Sequence, residues 1–597
     1  MKDNISMSPP PLPLRKLHSV DDSGALVVET NVDIPLPTAP PEGADDPCLV
    51  RANVYRPKGT GKYPVILTYG PYGKDIHYPD FHAASWADVN PKHQSAYSAW
   101  ETPDPPFWVK KGYVVVRADE RGAGQSPGML NCLSEATIHG FFDVVEWCAD
   151  QEWSSGKVAL LGVSYYACTQ WWVAARRPRG LAAIVPWEGM NDYYMDLARH
   201  GGILCDGFLD FWWNRQVGSV QYGLGDRAAR KWGPDTLEGT MDAIALLKHR
   251  KVPVLEGIKN KYRTDAMYFS DLFPAENIEC PVLSVANYGA TQLHLRGNVF
   301  GFMKAGSKFK YLRFISGRHD VPFYFDESVE VQKSFLDAFL KGEDDYGWAH
   351  PGKVPPVDLC LRVGNAGVND ARRELAAFPR RTELEWPLKR TVYTDFHLTM
   401  SQGLVTSPVD VQEGILRYEA PRGSLLFETT PFEEETEITG HPMAHLNVSL
   451  SSRDSSSPSE IDLFLTIRHY DSDGQEILYT GPAGEPVSVV KGWLRVSHRQ
   501  TTGPPTDNVP QRNHTPGSIL PVKCDTVYTV AIEVWPTNVI ISKGHKLALE
   551  IASTDTHHGG LFFHRHPEDR PETMLKGWNN IHFGPECQNF LRLPVIP

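Results

Sequence analysis

Ser164 stands in a segment whose residue order is itself a catalytic device. Lys157-Val158-Ala159-Leu160-Leu161-Gly162-Val163-Ser164-Tyr165-Tyr166-Ala167 reads as a short apolar strand that runs through Gly-x-Ser directly into a helix. A serine at such a turn is held clear of its own backbone, and the first amides of the helix face any oxyanion formed on it. The chemistry this suits is nucleophilic acyl transfer. Tyr166 stands where the G-x-S-x-G pattern has its second glycine. Other clusters carry less. His557-His558 and His564-Arg565-His566 have no carboxylate or cysteine at ligand spacing, so surface loops are expected there, with no metal and no organic cofactor. The nine cysteines are scattered and contain no C-x-x-C, which disfavours a disulfide framework or a thiolate zinc site and fits a reducing compartment.

The elements that must position Ser164 follow from apolar patterning. Val65 to Tyr69, Tyr113 to Ala118, Lys157 to Gly162 and Leu181 to Pro186 read as strands. Glu135 to Gln151 and Tyr165 to Arg176 read as helices between them, which is the alternation of an α/β sheet. From Trp187 to Ile278 the strand pattern stops and aromatics gather, as in a helical insertion. Strands return at Pro281 to Ala286 and Phe309 to Ser316, and a helix follows at Ser328 to Leu340. Beyond residue 350, strand-like runs separated by turn signals read as an all-β sandwich. The first 45 residues, with Pro9-Pro10-Pro11-Leu12-Pro13, read as an extended arm.

Composition excludes other classes. With 59 Lys+Arg against 72 Asp+Glu the formal net charge is −13, the wrong sign for a protein that binds nucleic acid by releasing counterions. No run approaches the roughly 18 to 20 apolar residues of a membrane span, and the N-terminus shows no apolar signal core. A cytoplasmic protein is the expectation, with homo-oligomerisation open.

Several spaced motifs resemble one family. Glu146-Trp147, then Gln151-Glu152-Trp153-Ser154-Ser155-Gly156-Lys157-Val158, then Gly162-Val163-Ser164-Tyr165 look like the X-Pro dipeptidyl-peptidase/cocaine esterase family, the CocE/NonD hydrolases. Asp119-Glu120-Arg121-Gly122-Ala123-Gly124-Gln125-Ser126 resembles its D-x-R-G-x-G-x-S loop. Thr439-Gly440-His441-Pro442, Asp462-Leu463-Phe464-Leu465, Val534-Trp535-Pro536-Thr537 and Gly544-His545-Lys546-Leu547 extend the likeness through the second half. The resemblance implies an α/β-hydrolase domain (46–186 and 279–345) with a helical cap (187–278). A C-terminal jelly-roll β-sandwich (350–597) would follow, and residues 1–45 would be the N-terminal arm.

The resemblance also implies site residues. Gly70-Pro71-Tyr72-Gly73-Lys74 is similar to the loop whose tyrosine hydroxyl serves the oxyanion hole, so Tyr72 would share that duty with the amide of Tyr165. His319 follows the strand Phe309 to Ser316 and matches the family's general base. The triad acid departs from the pattern. Ala290 falls near the expected Asp, and no Asp or Glu lies between Pro281 and His319. Loops at the carboxyl ends of neighbouring strands converge on such sites. Glu188, two residues past the strand Leu181 to Pro186, is therefore the leading substitute, ahead of Asp192 and Asp320 or a Ser–His dyad. Trp187, Asp192, Phe208, Phe211 and Trp212 are expected around the substrate. The function expected is a serine hydrolase that cleaves an ester or amide of an apolar small molecule through an acyl-enzyme. An acyltransferase, a carbon–carbon-cleaving enzyme and a non-hydrolytic pocket protein are the alternatives.

Overall fold

Apolar runs buried on both faces, such as Val114-Val115-Val116, need neighbours on both sides and covering layers above and below. The computed structural model describes residues 12–43, 46–407, 412–454 and 457–597. Pro9 to Pro11 of the proline run, and residues 455 and 456 within the Ser451 to Ser459 stretch, lie outside these residues. One sheet of eleven strands carries the first half: β1 (Ser19–Asp21), β2 (Val27–Pro35), β3 (Leu49–Arg56), β4 (Tyr63–Gly70), β5 (Val114–Asp119), β6 (Ser154–Val163), β7 (Leu181–Trp187), β8 (Val282–Asn287), β9 (Lys310–Ile315), β10 (Val357–Cys360) and β11 (Arg380–Glu383). Their order is β1-β2-β3-β5-β4-β6-β7-β8-β9-β10-β11. The stretch from β5 through β10 is parallel, and the strands beyond it at both edges are antiparallel.

The sheet is wider than the sequence suggests. Residues 19–35, read as part of an extended arm, form edge strands. Val27, Val28, Val32 and Ile34 supply apolar contacts, and the pairing with β3 shifts register between Glu29 and Val32. At the other edge β10 and β11 extend the sheet past residue 345 before the all-β domain begins.

Three helices set the site. Helix α1 (Glu135–Asp150) starts at Ser134 with a capping box shared with Thr137, which satisfies amides that lack a partner in the first turn. Helix α2 (Tyr165–Ala175) is buried along its whole length, as a helix apolar on nearly every side must be. Helix α3 (Leu295–Lys304) crosses from β8 to β9. The insertion after β7 holds only short helices, such as Asp206–Trp212 and Pro253–Lys259, and a small hairpin of Arg199–His200 with Ile203–Leu204.

Among the described residues the paired C-terminal strands are antiparallel with one exception, Gly403–Val405 against Ser424–Thr429. Met443–Ser451 pairs with Tyr528–Glu533 and Gly577–Phe583, and Asp462–Tyr470 pairs with Val490–Arg495 and Lys546–Ala552. Leu446, Leu463, Ile532, Leu549 and Leu591 fill the core. The two halves are sewn together by hydrogen bonds. The His319 amide donates to the Pro482 carbonyl at 2.9 Å, and the buried Arg362 guanidinium donates to the Asn538 and Val489 carbonyls. No helix among the described residues is long and apolar enough to cross a membrane.

Candidate active site

Strand β6 ends at Val163, and Ser164 takes φ +59° and ψ −118° before α2 begins. That region is costly for any side chain, and the surroundings hold it there. The Ser164 amide donates to the carbonyls of Trp187 and Glu188 at 3.2 and 3.1 Å. A Cβ on Gly162 would come within 2.6 Å of Tyr166 Cβ, and one on Gly70 within 2.8 Å of the Tyr166 ring. Those two glycines make the room that lets a tyrosine replace the second glycine of the motif.

Glu188 has φ +51° at the end of β7, and its amide donates to the Val285 carbonyl at 2.8 Å. Its carboxylate meets His319 Nδ1 at 2.9 Å and accepts from Asn287 Nδ2 at 3.0 Å. Asn287 also donates to the Gly317 carbonyl at 2.9 Å, so one amide at the end of β8 fixes both the acid and the loop that carries the histidine. The geometry separates the three candidate acids. Asp192 pairs with Arg263 at 2.8 Å. Asp320 accepts from Tyr78, Ser85 and Trp100 through one oxygen. Among the three, Glu188 is the carboxylate hydrogen-bonded to His319.

Two further groups at the site carry no sequence motif. Glu101, fully buried at φ +62°, places Oε1 2.9 Å from His319 Nε2, while its Oε2 has no hydrogen-bond partner among the described residues. His294, just before α3, places Nε2 3.2 Å from Ser164 Oγ, and its ring stacks on that of His319 with centroids 5.2 Å apart. Among the described residues no hydrogen bond joins Ser164 to His319. Either residue is legible only as one acid or one imidazole among many, since backbone geometry and chain crossing bring them in.

The polar partners assign protons. The Met190 amide, which can only donate, lies 3.2 Å from His294 Nδ1. The neutral His294 ring therefore carries its hydrogen on Nε2 and donates it to Ser164 Oγ. Burial and the neighbouring His319 hold His294 well below the ordinary imidazole value, so it is neutral near pH 7. In that tautomer it has no lone pair with which to take the serine proton. Burial works against a charge on His319, but the Glu188 and Glu101 carboxylates outweigh it and hold the ring well above its usual value. Burial raises Glu188, partly offset by His319, and lifts Glu101 to about 8 despite the same ring.

Tyr72 is buried, and its hydroxyl accepts from Trp212 Nε1 at 3.0 Å. An indole N–H is a donor only, so the phenolic hydrogen is left free to be given elsewhere. Burial keeps Tyr72 protonated, well above the usual phenol range. The Tyr165 amide is among the first of α2, with no intrahelical acceptor.

Ser164 and His319 open onto a cavity of about 160 Å³ whose walls include Trp100, Phe208, Phe211, Leu293 and Phe562. Phe208 stacks on Phe562 with centroids 4.8 Å apart, so cap and all-β domain build one wall together. The other expected pocket residues are placed differently. Trp187 is buried edge-on against Phe323, and Trp212 lies behind Tyr72. Asp192 lines a separate charged cavity with Arg263 and Arg296. None of the three lines the serine cavity, because strand and helix ends turn them into the core or toward arginine. A larger groove of about 870 Å³ near Asp88, Arg313 and Arg380 has no serine nucleophile in its wall.

Residues 45–302 match the model of the X-Pro dipeptidyl-peptidase (S15 family), and residues 350–592 that of the X-Pro dipeptidyl-peptidase C-terminal non-catalytic domain. Cocaine esterase of Rhodococcus sp. (strain MB1 Bresler) is 23% identical over 96% of this chain and 99% of its own. A CocE/NonD family hydrolase from Staphylococcus aureus superposes with a TM-score of 0.78 at 28% identity, covering 97% of this chain and 96% of the other. An α-amino acid ester hydrolase shares the fold, with a TM-score of 0.65 at 16% identity over 100% of this chain and 99% of that one.

Proposed function

Because the chain belongs to the X-Pro dipeptidyl-peptidase/cocaine esterase family of serine hydrolases, we propose that it cleaves an ester or amide of a small, mostly apolar molecule, with Ser164 as nucleophile. One observation carries the reading. A serine held at φ +59° on a strand-to-helix turn shares a cavity with an imidazole whose Nδ1 is hydrogen-bonded to a buried carboxylate. Ser164 Oγ attacks the acyl carbon, and His319 Nε2 takes its proton and passes it to the leaving group. Glu188 keeps the His319 hydrogen on Nδ1 and stabilises the imidazolium. Tyr72 and the Tyr165 amide receive the oxyanion. For this His319 must exchange Glu101 for Ser164, swinging about its Glu188 hydrogen bond. The His294 hydrogen bond orients the serine oxygen and leaves the hydroxyl proton unclaimed. The aromatic wall favours an apolar acyl or alcohol group.

The test combines labelling with kinetics on a panel of aryl, alkyl and aminoacyl esters. An active-site phosphonate should label the wild-type chain and leave Ser164→Ala unlabelled. Glu188→Gln should lower kcat by about 10²- to 10⁴-fold, since an amide N–H opposite Nδ1 enforces the wrong tautomer. Near-full turnover in folded Ser164→Ala would end the serine mechanism, and an unchanged Glu188→Gln would end the role of that carboxylate. Product analysis with an added alcohol or amine separates hydrolysis from acyl transfer.

A further inference from the structure

His200, Cys205 and His564 converge where the cap hairpin docks into the all-β domain, and their ligand atoms lie within 4.8 Å of one another. The hairpin is built for that approach. Gly201 and Gly202 form its turn at positive φ, and a Cβ on Gly201 would meet the Trp493 carbonyl oxygen at 2.3 Å. The Arg495 amide donates to the Gly201 carbonyl at 2.9 Å, and Arg199 pairs with Asp569 at 2.7 Å. All three side chains are buried. His564 is therefore not the surface-loop histidine its sequence context suggests. Its cysteine partner arrives from a distant part of the chain, beyond the reach of any local spacing.

The outer nitrogens of both rings face acceptors. His564 Nδ1 lies 2.7 Å from the Asp555 carboxylate, and His200 Nε2 lies 3.4 Å from the Asp196 carbonyl. Asp555 holds the His564 hydrogen on Nδ1, and a His200 hydrogen on Nε2 can reach the Asp196 carbonyl. The inner nitrogens, His200 Nδ1 and His564 Nε2, then face each other at 2.9 Å with a lone pair each. Either His200 moves its hydrogen to Nδ1 and donates it to His564, or a cation fills the space between the two lone pairs. Two other imidazole pairs, the buried His498–His514 and the half-buried His469–His545, have the same spacing. Among the described residues, however, a third ligand atom joins only the first pair. A carboxylate or carbonyl behind each ligating imidazole is the usual outer shell of a metal site.

We propose that His200, Cys205 and His564 bind a transition ion that takes imidazole and thiolate together, zinc(II) or copper(I), and that this ion pins the cap hairpin to the all-β domain. Binding releases the Cys205 thiol proton to solvent and forms one metal–sulfur and two metal–nitrogen bonds. Metal–nitrogen bonds of about 2.0 to 2.1 Å in a tetrahedron set the two nitrogens roughly 3.3 Å apart. The rings need therefore part by only a few tenths of an ångström. His564 lies two residues beyond Phe562, so the ion would stiffen a wall of the serine cavity without touching the chemistry.

The test uses the reduced full-length protein, stripped of metal and then given zinc(II) or, anaerobically, copper(I). After desalting, elemental analysis should find about one equivalent of one of the two ions per chain, and the loaded protein should melt at a higher Tm. Cobalt(II) should give a thiolate-to-metal charge-transfer band in the near ultraviolet. Cys205→Ser and His564→Gln should lose the retained equivalent and the Tm gain. Asp555→Asn should weaken binding by about 10- to 100-fold, and His557→Gln/His558→Gln should keep it. Retention of neither ion by the wild-type chain overturns the proposal, as does undiminished binding in folded Cys205→Ser.

Discussion

Two carboxylates share one imidazole, and that sets the pH behaviour of this enzyme. As the proposed base, His319 can accept the serine proton only after its conjugate acid has lost one. Glu188 and Glu101 both favour the charged ring, so the active form is gained as pH rises. Replacing Glu101 with glutamine removes one of the two raising influences and leaves the other. The acid limb of kcat/KM should then move to lower pH. A pH profile of Glu101→Gln against wild type measures it, and a limb that stays put or moves upward would refute the role of Glu101. The individual residues were unequally legible. Ser164 announces itself because strand, Gly-x-Ser and helix are contiguous. Glu188 could be named because it ends a strand beside the vacated acid position. Glu101 and His294 could not, since one depends on a positive φ in a loop and the other on where α3 starts.

At the scale of elements, the turn after β7 does for the acid what the turn after β6 does for the serine. Glu188 sits at positive φ, and Gly189 follows it with an ordinary φ but no space. A Cβ there would lie 2.7 Å from the Ala167 carbonyl carbon in α2. Gly189→Ala must push the acid loop away from the nucleophile helix. It should cost about 1 to 3 kcal/mol of stability and lower kcat more than it raises KM. Denaturant unfolding and steady-state kinetics together check this, and wild-type values in both would show that the loop has slack. The strands and helices from Val65 to Pro186 were readable because period-2 and period-3.6 patterns are local. The outer strands at residues 19–35 and 357–383 were not, because β1, β10 and β11 are only three or four residues long and β2 breaks register against β3. The cap hairpin escaped because its strands are two residues long.

For the whole molecule, the cavity belongs to neither half alone. Phe208 comes from the cap and Phe562 from the all-β domain, and they close one wall by stacking. Phe562→Ala should raise KM for bulky aromatic esters by about 10-fold or more and change it little for small ones. Equal effects across an ester series would assign Phe562 to packing alone. The wider lesson lies in the hydrogen bond from the His319 amide to Pro482. The proposed base is moored by its main chain to the opposite half, and a misplacement of about 1 Å can cost about 10²-fold in rate. Turnover therefore works as a strain gauge for the seam. Warming or a neighbour leaning on the joint would dim the catalyst while both halves stay folded, and relaxing the seam would restore it.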